Sequence, residues 1–133
     1  MTHRNDDQPP DPVLQVFALW RSYRPNPDYC RLTAARRKLL RARLRDYTAA
    51  DLCALVRYAY ESDAAEARFW RGENDRRAEY TDLVNLLRVS KLDGRVERAL
   101  LWRDDQAAKA DTERRGLDLG PMGLVLRGPR GEA

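Results

Sequence analysis

The chain has 133 residues and a mass of 15.4 kDa, enough for one ordinary domain and too little for two. With 43% apolar and 35% charged residues it can build a small core under a very polar surface, which excludes a wholly disordered chain. No run approaches the roughly 20 apolar residues of a membrane span, and a single histidine (His3) with two cysteines (Cys30 and Cys53) argues against histidine-based catalysis, a disulfide framework or a four-ligand zinc site.

The first dozen residues, MTHRNDDQPPDP, lack the apolar stretch of a secretory signal. A reducing, cytoplasmic setting is therefore expected, with residues 1–10 as a flexible tail. Asp11-Pro12 is a strong helix start, an N-cap followed by a residue whose φ is already helical. The first helix is predicted from about Pro12 to Arg24, with Val13, Phe17 and Trp20 on one stripe and Leu14 beside it. Pro25-Asn26-Pro27-Asp28 ends it, because each proline bars helical geometry at the residue before it.

The second helix is predicted from the N-cap Thr33 to about Asp46. Its charge is the sharpest feature of the chain. Residues 1–30 sum to −1 and residues 46–133 to −2, whereas residues 31–45 hold Arg31, Arg36, Arg37, Lys38, Arg41, Arg43 and Arg45 without one acid, net +7. The whole-chain excess is only +4, so the basic character is a patch. Arg37, Arg41 and Arg45 recur at i, i+4 and i+8 with Lys38 beside them, while Leu40 and Leu44, and Leu32, Ala35 and Leu39, occupy the other surface. Such a helix can dock through its leucines and hold four cations outward about 6 Å apart, near the phosphate spacing of a nucleic-acid strand. No acid at i±4 neutralises them. A solvated or protein-binding face is the competing reading. Arg36 and Arg43 fall between the leucine rows and are expected to be partly buried and paired with acids from neighbouring helices.

Thr48-Ala49-Ala50-Asp51 resembles a capping box and predicts a third helix over 49–61, with Leu52, Leu55, Val56, Ala59 and Tyr60 inward and Ala54, Arg57 and Glu61 opposite. Cys53 reads as a small core residue. Asp63 could cap a short helix through Phe69-Trp70, ended by Gly72 and followed by a polar loop over 73–77. Asp82 opens a short helix bearing Leu83, Leu86 and Leu87. Gly94 then separates it from a final helix over about 95–103. Residues 105–115 could extend that helix or fray, and residues 116–133, with five of the seven glycines, read as a mobile tail.

The expected fold is all-α, a small bundle of about five helices over residues 11–104 with flexible tails on both sides. Among the aromatic residues, Phe17, Trp20 and Tyr60 lie on apolar stripes and read as core. Trp20, Tyr23, Tyr29, Tyr47, Tyr58, Tyr60, Phe69, Trp70 and Tyr80 also invite a stacking role, and Trp70 could be packed or presented. No nucleophile has a visible base. No glycine loop opens a helix as a phosphate cradle requires. Catalytic residues, metal ligands and cofactors are therefore all expected to be absent. The run Met122-Gly123-Leu124-Val125-Leu126 reads as a loosely packed terminus or as a short linear peptide for a partner.

Over residues 32–101 the pattern resembles a known family. Leu32-Thr33-Ala34-Ala35-Arg36-Arg37-Lys38-Leu39-Leu40-Arg41-Ala42-Arg43-Leu44, then Tyr47-Thr48 with Asp51, Trp70-Gly72-Asn74, Tyr80, Leu83, Leu86-Leu87 and Lys91-Leu92 are similar to the conserved phage C-terminal domain of replisome-organiser-type replication proteins. That resemblance implies a small, non-enzymatic helical module near phage or prophage DNA replication, acting by DNA contact or by helicase recruitment. The first expectation is thus a DNA-associated accessory protein with Arg37, Lys38, Arg41 and Arg45 on phosphates of single- or double-stranded DNA, with little sequence preference. The alternative is an adaptor or inhibitor that binds a replicative helicase or host protein without touching DNA. A sequence-reading regulator ranks lower, because the exposed face of the second helix carries no Asn or Gln to read bases.

Overall fold

The computed structural model describes residues 11–130, with side chains through Arg115. The expected N-terminal tail lies outside the described residues. Those residues form six α-helices and two single 3-10 turns with no strand, the small all-α bundle expected. In chain order they are α1 (Pro12–Ser22), a turn at Pro27–Tyr29, α2 (Ala34–Arg43), α3 (Ala49–Glu61), α4 (Ala65–Trp70), α5 (Leu83–Leu86), a turn at Val89–Lys91, and α6 (Leu92–Arg130). None is long and apolar enough to cross a membrane.

Local chemistry starts the helices where a short polar side chain can take an orphan amide. Asp11 accepts from the Val13 amide ahead of Pro12, Thr33 caps α2 through the Arg36 amide, and Asp82 caps α5 through the Asn85 amide. At α3 the box is reciprocal: the Thr48 hydroxyl accepts from the Asp51 amide at 3.1 Å and the Asp51 carboxylate accepts from the Thr48 amide at 3.1 Å. Each such cap satisfies a donor that the helix itself leaves open.

Helix α3 is the centre of the bundle and packs against α1, α4 and α5, while α2 leans on α1. Its burial is wider than one stripe. Leu52, Cys53, Ala54, Leu55, Val56, Tyr58 and Ala59 are all buried, so Ala54, placed on the outer face by periodicity, is core. A helix enclosed by neighbours on several sides keeps only a narrow wet edge, here Arg57 and Glu61 as expected, and the 3.6-residue pattern does not report how narrow it is. Leu14, expected beside the apolar stripe of α1, is half exposed, and Val16 is buried in its stead. Trp20 is 1% exposed and its indole N–H donates to the Thr81 carbonyl at 2.8 Å, so the partner its buried polar edge needs comes from 61 residues away.

Two expected boundaries move. Asp63 does not cap α4: that helix begins at Ala65, and the Ser62 hydroxyl instead accepts from the Ala64 amide at 3.0 Å. Gly94 does not separate helices, because α6 already begins at Leu92. Buried Leu92 and Val96 set that start by packing. Glycine costs only about 1 kcal/mol in a helix, which such burial outweighs. Between α4 and α5 the loop turns on Gly72, whose φ of +107° is a conformation that glycine adopts without strain. Asn74 then staples it, donating to the Phe69 and Ala78 carbonyls and accepting from the Arg76 and Ala78 amides.

By contacts the chain divides into two units, Met1–Leu100 and Leu101–Ala133. The first holds the whole core. In the second, residues 103–115 are helical and largely exposed, laced by Lys109–Asp105, Arg114–Asp111 and Arg115–Asp111 ion pairs. Alanine-rich composition and pairs at i+3 and i+4 favour helix there without burial. The segment expected as a mobile tail, 116–133, falls within the bounds of α6 as far as Arg130 and beyond the residues whose side chains are described.

Candidate nucleic-acid interface

Helix α2 lies at the edge of the bundle. Leu40 is its one fully buried side chain, Leu32, Leu39 and Leu44 are half-buried, and Ala35 is exposed. The docking face is therefore narrower than the two leucine rows suggest, and the outward arc is correspondingly wide. Lys38 and Arg41 stand exposed on that arc, and Arg37 is half-buried at its edge. Arg45 is exposed as well, but the helix ends at Arg43, two residues before it. The chain keeps winding through a tighter turn, with the Arg45 amide donating to the Ala42 carbonyl at 3.4 Å and the Tyr47 amide to the Arg43 carbonyl at 3.1 Å. Arg45 thus follows Arg41 off the end of the helix. The structure keeps all four predicted cations on or beside α2.

Among the described residues, none of the seven basic side chains of residues 31–45 forms an ion pair; the pairs that exist link other segments. Arg36 and Arg43 are half-buried as expected, but their partners are not acids. The Arg36 guanidinium lies 5.0 Å from the Trp20 ring centre and donates to the Arg31 carbonyl at 2.7 Å. Arg43 Nε donates to the Leu87 carbonyl at 2.6 Å. That carbonyl closes α5, where helix geometry leaves oxygens without an amide, and a guanidinium supplies the missing donor. Carbonyls and a π face stabilise a cation without cancelling its charge. The segment keeps its full +7.

Elsewhere arginine is architectural. The Arg24 guanidinium lies 5.0 Å from the Trp20 ring centre and donates to the Tyr60 and Thr81 hydroxyls at 3.2 Å each. Arg95 is buried, 4.7 Å from the Trp70 ring centre, and donates to the Asn85 carbonyl. Arg71 donates to the Ala59 carbonyl at 3.0 Å. Arg98 grips Glu66 with Nε 2.8 Å from each carboxylate oxygen, so Glu66 is held in a fork. Trp70 is packed, 5% exposed and edge-on to Tyr58.

The Cys53 thiol is buried, and burial raises its pKa above the ordinary value, which suppresses the reactive thiolate. The Tyr23 phenol is pushed up to about 12 by burial and by donating to the Glu61 carboxylate. No group of three or more potential metal ligands occurs among the described residues.

Two exposed residues beside the basic helix carried little weight in the sequence. Arg31 precedes it, and its own carbonyl braces Arg36. Tyr29 stands 81% exposed on the turn before it. Their nearness to the start of α2 was visible in the sequence; their exposure was not. Comparison with known proteins finds no matching family model, no similar curated protein and no similar solved structure.

Proposed function

We propose that this chain is a non-enzymatic helical protein that binds nucleic-acid phosphates through Arg37, Lys38, Arg41 and Arg45, in the setting of phage-type DNA replication. The observation that carries the reading is the absence of any carboxylate partner, among the described residues, for a +7 segment that exposes Lys38 and Arg41 on the outward arc of an edge helix, with Arg37 at the edge of that arc and Arg45 just past the helix end. Unneutralised guanidinium groups are suited to exchange condensed counterions for a polyanion, and arginine's planar fork suits two phosphate oxygens. The replication setting rests on the family resemblance of residues 32–101.

The test is fluorescence anisotropy with labelled DNA across a salt series. Four neutralised phosphates correspond to a slope of log K against log salt of about −3.6 on duplex or about −2.8 on a single strand. Arg41→Glu with Arg45→Glu should weaken binding at least ~10-fold and flatten that slope. Unchanged affinity in that variant would exclude this face. Absence of binding altogether would favour the adaptor reading, for which the exposed Val84 and Val89, 65% and 70% accessible and flanking Arg88, offer an apolar contact.

A further inference from the structure

Tyr29 is the most exposed large apolar side chain among the described residues. It is nonetheless held on a built support. The turn Pro27–Tyr29 is closed by the Tyr29 amide donating to the Asn26 carbonyl and the Cys30 amide to the Pro27 carbonyl, each at 3.0 Å. Pro27 fixes the first φ of the turn, and Pro25 fixes another in the approach to it. From α1, Arg21 Nε donates to the Pro27 carbonyl at 2.7 Å. An aromatic ring on a braced turn loses little freedom on binding, so a stacking partner keeps most of the contact energy.

The charge around it selects the partner. Arg31 follows two residues on, and the cap of α2 two residues after that. Between residues 27 and 45 the only carboxylate is Asp28, and Arg21 engages it at 3.8 Å. A ligand for this neighbourhood needs a repeating negative charge for the helix and a free π face for the ring. Single-stranded nucleic acid offers both, whereas a duplex keeps its base faces inside the stack.

We infer that Tyr29 is a base-stacking platform and that the preferred ligand of the basic segment is single-stranded nucleic acid, with phosphates along Arg31–Arg45 and a base on the Tyr29 ring. The inference rests on the phosphate-binding reading of that segment. It narrows the ligand from any polyanion to one with unstacked bases.

The full-length protein is titrated by anisotropy against three labelled probes at one salt concentration: a thymidine 15-mer, a 15-base-pair duplex and an abasic 15-mer. The thymidine strand should bind tightest. Tyr29→Ala should lower its affinity about 10-fold and leave the duplex, the abasic strand and the salt slope unchanged. Tyr29→Phe should restore tight binding, because the ring and not the hydroxyl stacks. If Tyr29→Ala leaves thymidine binding intact while Arg41→Glu with Arg45→Glu weakens every probe, the platform is refuted and the phosphate face stands. Equal losses on all three probes would make Tyr29 a general support and would also refute stacking. Absence of binding to every probe removes the phosphate reading and this inference with it.

Discussion

Arg36 and Arg41 stand five residues apart on one helix, yet only Arg41 is exposed to a ligand. Arg36 is committed to the Trp20 ring and a backbone carbonyl; Arg41 has no ion pair among the described residues. Periodicity alone placed Arg36 and Arg43 on the inner side, because 100° per residue puts them between the leucines. It could not name their partners, since orphan carbonyls and ring faces are made by other elements. Tyr23 makes a residue-scale prediction with a definite sign. Its phenol, stacked on Tyr60 at 4.4 Å and hydrogen-bonded to Glu61, titrates near 12 when folded, against about 10 when free. The neutral form is favoured in the native state, so the stabilisation is complete below pH 10 and fades as pH rises from 10 to 12. Urea denaturation at pH 9 and pH 11.5 should show a larger loss of stability in the wild type than in Tyr23→Phe. An identical loss in both would mean that this phenol does not couple to folding.

At the scale of elements, helix starts were legible wherever a polar cap makes them and illegible where packing does. Asp11, Thr33, Thr48 and Asp82 cap as their sequences indicate, because a cap is a contact among residues three apart. The starts of α4 and α6 were misplaced because Ala64 offers no side-chain cap and Leu92 begins its helix inside the core. The capping box on α3 should matter beyond its own helix, since α3 touches three others. Thr48→Ala is expected to cost about 1 kcal/mol, read as a lower urea midpoint at unchanged m-value. A midpoint equal to the wild type would mean that the central helix gains nothing from its cap.

For the whole molecule, the core ends with Ala99, and the unit Met1–Leu100 contains every buried side chain among the described residues. Deleting residues 116–133 should therefore leave the thermal midpoint, followed by circular dichroism, within a few degrees and DNA affinity unchanged. Loss of capture of a protein partner in that deletion, with the fold intact, would place the adaptor function in the tail. A collapse of the midpoint would show that the C-terminal segment contributes to the fold. The helical class of the chain and the row of cations on its second helix are legible in the sequence, because each is written in local spacing and local charge.

Sequence alone determined where polar caps begin helices and that seven cations crowd fifteen residues without an acid. These are properties of neighbours along the chain. Tertiary structure alone decided that Ala54 is core and Leu14 is not, that Arg36 and Arg43 answer to a ring and a carbonyl instead of carboxylates, and that Tyr29 is held out on a braced turn. Burial and partnership depend on which distant segments arrive beside a residue, and no period within one helix records that arrival.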